Sequence, residues 1–274
     1  MKKTADSSAA TRPQNAVDSS AAVRSKNDLV EYLLRLGDDR LVLGHRLSEW
    51  CGHAPILEED IALANIALDL VGQANLLLTV AAQTENAGRD ADALAYLRDA
   101  IDYRNVLLVE LPNGDFAQTI ARQFFFSVYA MLQAEALQQS AVKDLGGIAA
   151  KMLKETRYHV RHSGEWMLKL GDGTEESHAR LQSAVDELWR YTGELFLSDE
   201  VERRVVSKEL AVDSSTLENP WRQQVDDVLR RSGLQIPEIK WMQRGGRAGR
   251  HTEHLGHMLA EMQILQRQHP GAEW

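Results

Sequence analysis

Two stretches of this chain begin like the carboxylate-x-x-histidine pairs that hold iron inside four-helix bundles, and both lack the histidine. Asp69-Leu70-Val71-Gly72 has glycine where the imidazole belongs, and Glu155-Thr156-Arg157-Tyr158 has tyrosine there, with His159 one position late. The spacing matters because residues three apart share a helix face. A Glu from each of two helices and a Glu-x-x-His from each of two others can then meet at one metal pair. Helical periodicity puts Glu49, Asp69, Glu135 and Glu155 on or near the inner stripe of four different helices, which supplies the carboxylates of such a centre. His159, four residues after Glu155 and on its face, is the single imidazole nearby. These five residues outline a vestigial metal site. The competing and favoured reading is of buried acids neutralised by Arg46, Arg122, Arg157 or His159, since an unpaired carboxylate in a core is costly. No catalytic residue and no metal ligand set is expected.

Other clusters are weaker. His251-Thr252-Glu253-His254, with His257 and Glu261 beyond, could outline a zinc site, but neither a Cys pair nor a His-Glu-x-x-His run accompanies it. His251 and His254 are expected at the surface or at a partner interface. Arg244-Gly245-Gly246-Arg247-Ala248-Gly249-Arg250 reads as a flexible basic loop, solvated, anion-holding or ordered against another chain, and Arg247 is its interface candidate. It lacks the Gly-Lys-Ser/Thr of a P-loop. No nucleophile elbow or dinucleotide turn is present. Cys51, between Trp50 and Gly52, is expected to be packed inside.

The elements that must position these residues are helical. Apolar residues recur at three-four spacing almost to the end, and no stretch reads as a strand. The pattern predicts helices from Asn27 to about Trp50, from Glu58 to about Ala82, from Asp90 to about Val109, from Phe116 to Ala141, and from Gly147 to Leu170. Further helices follow over Glu175–Leu197, Asn219–Arg231 and Thr252–Gln268. Leu111-Pro112-Asn113-Gly114-Asp115 and Gly171-Asp172-Gly173-Thr174 are turns, the latter with Thr174 as an N-cap. The expected architecture is all-α: a ferritin-like four-helix bundle with additional shorter helices, one domain over 27–274, preceded by a disordered polar tail over 1–26.

Composition sets outer limits. The chain has 274 residues, 44% hydrophobic and 26% charged, an ordinary globular mixture. A net charge of -9 argues against nucleic acid and against anionic membranes as partners, and no eighteen-residue apolar run suggests a membrane span. One cysteine and no signal-peptide core fit a reducing cytoplasm.

Several motifs, taken together, resemble those of the C component of the ring-1,2-phenylacetyl-CoA epoxidase family, from about Leu33 to Trp274. They are Leu34-Arg35-Leu36-Gly37-Asp38, Glu49-Trp50-Cys51-Gly52-His53-Ala54-Pro55, Leu63-Ala64-Asn65-Ile66 with Asp69, Leu108-Val109-Glu110-Leu111-Pro112-Asn113-Gly114-Asp115-Phe116, Arg157-Tyr158-His159, and His251-Thr252-Glu253-His254-Leu255-Gly256 through Leu259-Ala260-Glu261-Met262-Gln263. The resemblance implies a non-catalytic ferritin-like subunit that binds no cofactor itself and supports the catalytic A component of the epoxidase. In that picture the A component holds the iron and uses O2 on phenylacetyl-CoA, and a separate reductase brings electrons from NADPH. Arg104, ahead of the Pro-Asn-Gly turn, is the candidate contact for the CoA phosphates. The alternatives are an active di-iron oxygenase using the five residues above, and a free-standing helical binding protein.

Overall fold

A computed structural model describes residues 14–272. Among them every regular element is helical: α1 (Gln14–Ser48), α2 (Leu57–Glu85), α3 (Ala91–Tyr96), α4 (Leu107–Glu110), α5 (Phe116–Leu137), α6 (Leu145–Gly171), α7 (Glu175–Trp189), α8 (Glu200–Val206), α9 (Glu218–Arg231), α10 (Glu253–Met262) and α11 (Ile264–Gln268), with short 3-10 turns between. The expected all-α, ferritin-like architecture holds. α1 packs along α2 and α5 along α6, and α2 meets α6, so two helical hairpins form the bundle.

Local chemistry explains the boundaries. Gly37 and Gly44, two turns apart on α1, let α2 approach closely; a Cβ at Gly37 would sit 2.8 Å from Leu78 and one at Gly44 2.9 Å from Val71. Asn86 ends α2 in the left-handed conformation. Asp115 caps α5 by accepting from the Gln118 N–H at 2.9 Å, and Thr174 caps α7 through the Ser177 N–H at 3.1 Å. Aromatic rings fill the contact between α5 and the later helices: Phe125 meets Trp189 and Trp221 with centroids 5.6 and 5.9 Å apart.

Three expectations about elements are corrected. α1 starts at Gln14, so the helix runs straight through Asn27; the part of the expected tail over 1–13 lies outside the described residues. The helix expected over 90–109 breaks into α3, a 3-10 turn, an extended run and α4. Its backbone N–H groups are taken by carboxylates from elsewhere: Arg104 N–H donates to Asp38 at 2.8 Å, Val106 N–H to Asp39 at 2.8 Å, and Leu107 N–H to Glu194 at 2.9 Å. The helix expected over Glu175–Leu197 stops at Trp189, and a 3-10 turn carries Glu194 inward.

α2 holds an 18-residue stretch of mean hydropathy 1.6, long and apolar enough by composition to cross a bilayer. Asn65, Asp69, Gln73 and Asn75 interrupt it, and one side packs on α1 as in a bundle core.

Candidate functional site

Between the four long helices lies a chain of polar groups centred on a cation. Arg40 of α1 is fully buried. Its Nε donates to Gln73 Oε1 of α2 at 3.1 Å, its Nη2 to Gln133 Oε1 of α5 at 3.0 Å, and its Nη1 to the Leu36 carbonyl at 2.9 Å. Gln73 Nε2 donates onward to Glu155 Oε2 of α6 at 2.9 Å, and Gln133 Nε2 to the Tyr129 hydroxyl at 2.8 Å. Each long helix thus contributes one group, as in a di-iron centre, but the set is Arg, Gln, Gln and Glu. Burial pulls the Arg40 pKa below its ordinary value while the Asp39 carboxylate opposes the shift. Arginine carries its charge throughout the accessible pH range, so the group remains a guanidinium donor to three oxygen acceptors.

Of the expected carboxylates, only Asp69 and Glu155 face the seam between α2 and α6. Asp69 accepts from His159 Nε2 at 3.0 Å, with the imidazole buried and the carboxylate 35% exposed at the edge. One turn further along α6, His162 Nε2 donates to Glu59 at 2.8 Å, a pair absent from the sequence reading. Glu135 is exposed. On α5 the inward stripe runs through Tyr129 and Gln133, and a residue two positions on falls about 200° around the helix. Glu49 lies beyond the end of α1, exposed, accepting from Arg46 at 2.7 Å and from the Asn113 side chain at 3.0 Å. Among the described residues no three His, Cys, Asp or Glu side chains converge as metal ligands. One carboxylate, two amides and a fixed cation do not fit a di-iron pair. Of the expected partners, Arg46 pairs with the exposed Glu49 and His159 with the part-exposed Asp69; Arg122 instead binds the carbonyls of Leu111 and Pro112 and the Asn113 side chain, and Arg157 is exposed.

The Gly-Arg loop folds back onto this chain, with Gly245 and Gly246 buried and Arg244, Ala248 and Arg250 exposed. Arg247 grips Asp39 with both terminal nitrogens, at 3.0 and 2.7 Å, and also donates to the carbonyls of Arg35 and Arg104. Although burial disfavours its charge, the Asp39 carboxylate outweighs that and holds the Arg247 pKa above the ordinary value. The Gly245 and Arg247 N–H groups donate to Glu194, which also takes the Leu107 N–H, so one buried carboxylate ties three distant segments. Gly246 lies so close to Asn105 that a Cβ there would be 2.1 Å from its carbonyl oxygen.

His251 is likewise turned inward, its ring nitrogens 2.7 Å from the buried Glu110 carboxylate and 3.1 Å from the Tyr103 carbonyl. His254 is half-buried, while His257 and Glu261 are exposed. Arg104 pairs with Glu31 at 3.0 Å and donates to the carbonyls of Ile101 and Tyr103. Cys51, expected inside, is exposed because α1 ends at Ser48 and the following turn lies at the surface.

Sequence reasoning missed Arg40, Gln73, Gln133 and Glu194. A polar residue inside an otherwise apolar stripe was the available signal at Gln73 and Gln133; Glu194 offered none.

The chain is 48% identical over 248 residues to the C component of 1,2-phenylacetyl-CoA epoxidase from Escherichia coli (strain K12), covering 90% of this chain and 100% of that protein. The model of the phenylacetic acid catabolic protein family matches residues 14–274. The chain belongs to the phenylacetic acid catabolic protein family.

Proposed function

We propose that this chain is the non-catalytic structural subunit of a cytoplasmic phenylacetyl-CoA epoxidase assembly. It pairs with and stabilises the di-iron A component, which inserts one oxygen atom of O2 into the ring of phenylacetyl-CoA with electrons from an NADPH-fed reductase. The observation that carries this reading is the Arg40 network. An iron pair needs lone pairs pointing into the space between the helices, and here a guanidinium fills that space and uses the inward oxygens of Gln73 and Gln133 as its own acceptors. Similarity to the C component of an epoxidase over that protein's whole length supports the same reading.

Metal analysis tests it. The chain co-expressed with its di-iron partner should yield a complex containing iron, and the isolated chain should hold none above background. About two iron atoms per isolated chain, lost in Glu155→Ala, would overturn the proposal in favour of a di-iron oxygenase.

A further inference from the structure

α2 carries a row of large apolar side chains that no part of the described chain covers. Leu57 is 72% exposed, Ile61 54% and Leu68 69%. They lie on one side of the helix over about three turns, with the exposed Asn65 between Ile61 and Leu68 and Gly72 just beyond. A stripe of this kind, opposite a face already packed on α1, is a contact surface in waiting.

Beside it, α6 presents Lys151, Lys154, Arg161 and Lys169 to solvent, with Tyr158 among them and Glu165 as the acid of that row. Lys151 reaches Glu155 at 3.8 Å, and Arg161 lies over the Tyr158 ring at 5.6 Å. Lys154 has no carboxylate partner among the described residues. In a chain of net charge -9, a basic row flanking an apolar stripe reverses the prevailing sign at one place.

We infer that the α2–α6 face is where the di-iron partner docks, presenting an apolar helix flanked by carboxylates; this assignment rests on the function proposed above. Complementary charge selects the occupant. A second copy of this chain would bring an apolar stripe, but from α6 it would add four more cations against Glu165 and the half-buried Glu155, which Lys151 already engages. Residues 1–13 hold Met1 as their sole large apolar side chain, too little to cover the stripe. The far end of the chain is occupied elsewhere, with Arg267 bonded to Asp99 and to the Arg98 carbonyl.

The test uses this chain co-expressed with its own di-iron partner. Ile61→Asp combined with Leu68→Asp should leave the melting temperature of the isolated chain in place and weaken pairing about 30-fold or more. Lys154→Glu combined with Arg161→Glu should weaken it about tenfold at low salt, with the difference shrinking as salt rises. Wild-type pairing by both variants would overturn this face and leave the proposed function standing. Failure of the wild-type chain to pair at all would overturn both. A wild-type homodimer dissolved by the apolar variant would give the face to a second copy and overturn the assignment.

Discussion

α1 and α2 lie side by side with opposite surroundings. From Tyr32 to Gly44 every residue of α1 is buried, including Arg35, Asp38, Asp39 and Arg40, whereas α2 buries one side and leaves Leu57, Ile61 and Leu68 bare. A helix enclosed all round can carry charge only if later segments deliver a partner for each group. Here Asp199 of the α8 N-cap takes Arg35, Arg98 takes Asp38, Arg247 takes Asp39, and two glutamines take Arg40. The open face has no such obligations. The difference teaches that the shorter helices and loops exist to seal one side of the bundle, and that the other side is left for something outside the chain.

The comparison can be broken in several ways. Asp39→Asn would leave the Arg247 guanidinium uncompensated, and we expect a loss of about 3 kcal/mol or more, read as a lower urea midpoint; an unchanged midpoint would deny that this pair holds the covered face. Leu43→Ala, at a fully buried position of α1, should lose about 2–4 kcal/mol in the same assay. Gly246→Ala forces a methyl against the Asn105 carbonyl and should lose about 1–3 kcal/mol, with faster proteolysis of the Gly-Arg loop as the local sign.

Acid should loosen the α1–α8 clasp. Hydrogen bonding from Arg204 holds the Asp28 carboxyl below the ordinary carboxylate range, and the Arg35 fork does the same to Asp199 against the opposing effect of burial. Carboxyls lowered in the folded state contribute their stability above about pH 4 and lose it as the pH falls through the lowered values. The gap in urea midpoint between wild type and Asp28→Asn should therefore close as solutions are acidified; a gap that widens would contradict the pairing. The smallest effect belongs to Leu68→Ala on the bare face, within about 0.5 kcal/mol for the isolated chain, and a cost equal to that of Leu43→Ala would erase the contrast between the two helices.

Much of this organisation was legible in the residues. The turns at 111–115 and 171–174, rich in Pro, Asn, Gly and Asp, separate periodic segments cleanly, so the bundle helices and their order followed from spacing alone. The bundle interior was harder to read. Glu135 and Gln133 are two positions apart, and an apolar pattern locates a stripe no more finely than that. The break over 102–106 was invisible because its cause lies far away in sequence, in Asp38, Asp39 and Glu194. Arg247 and its glycines read as a loop that was solvated, anion-holding or ordered against another chain for the same reason: nothing local announces that a basic loop will bond a buried carboxylate of its own chain.

Glu194 carries a consequence for how the molecule is made. Its carboxylate takes N–H groups from residues 107, 245 and 247, and the last two leave the ribosome more than fifty positions after it does. A nascent chain can close its two helical hairpins early, yet Glu194 has only the Leu107 N–H of these three until residues 245 and 247 emerge. Completion of the interior thus waits on the Gly-Arg loop, and truncations before residue 245 should yield aggregates rather than a smaller soluble bundle.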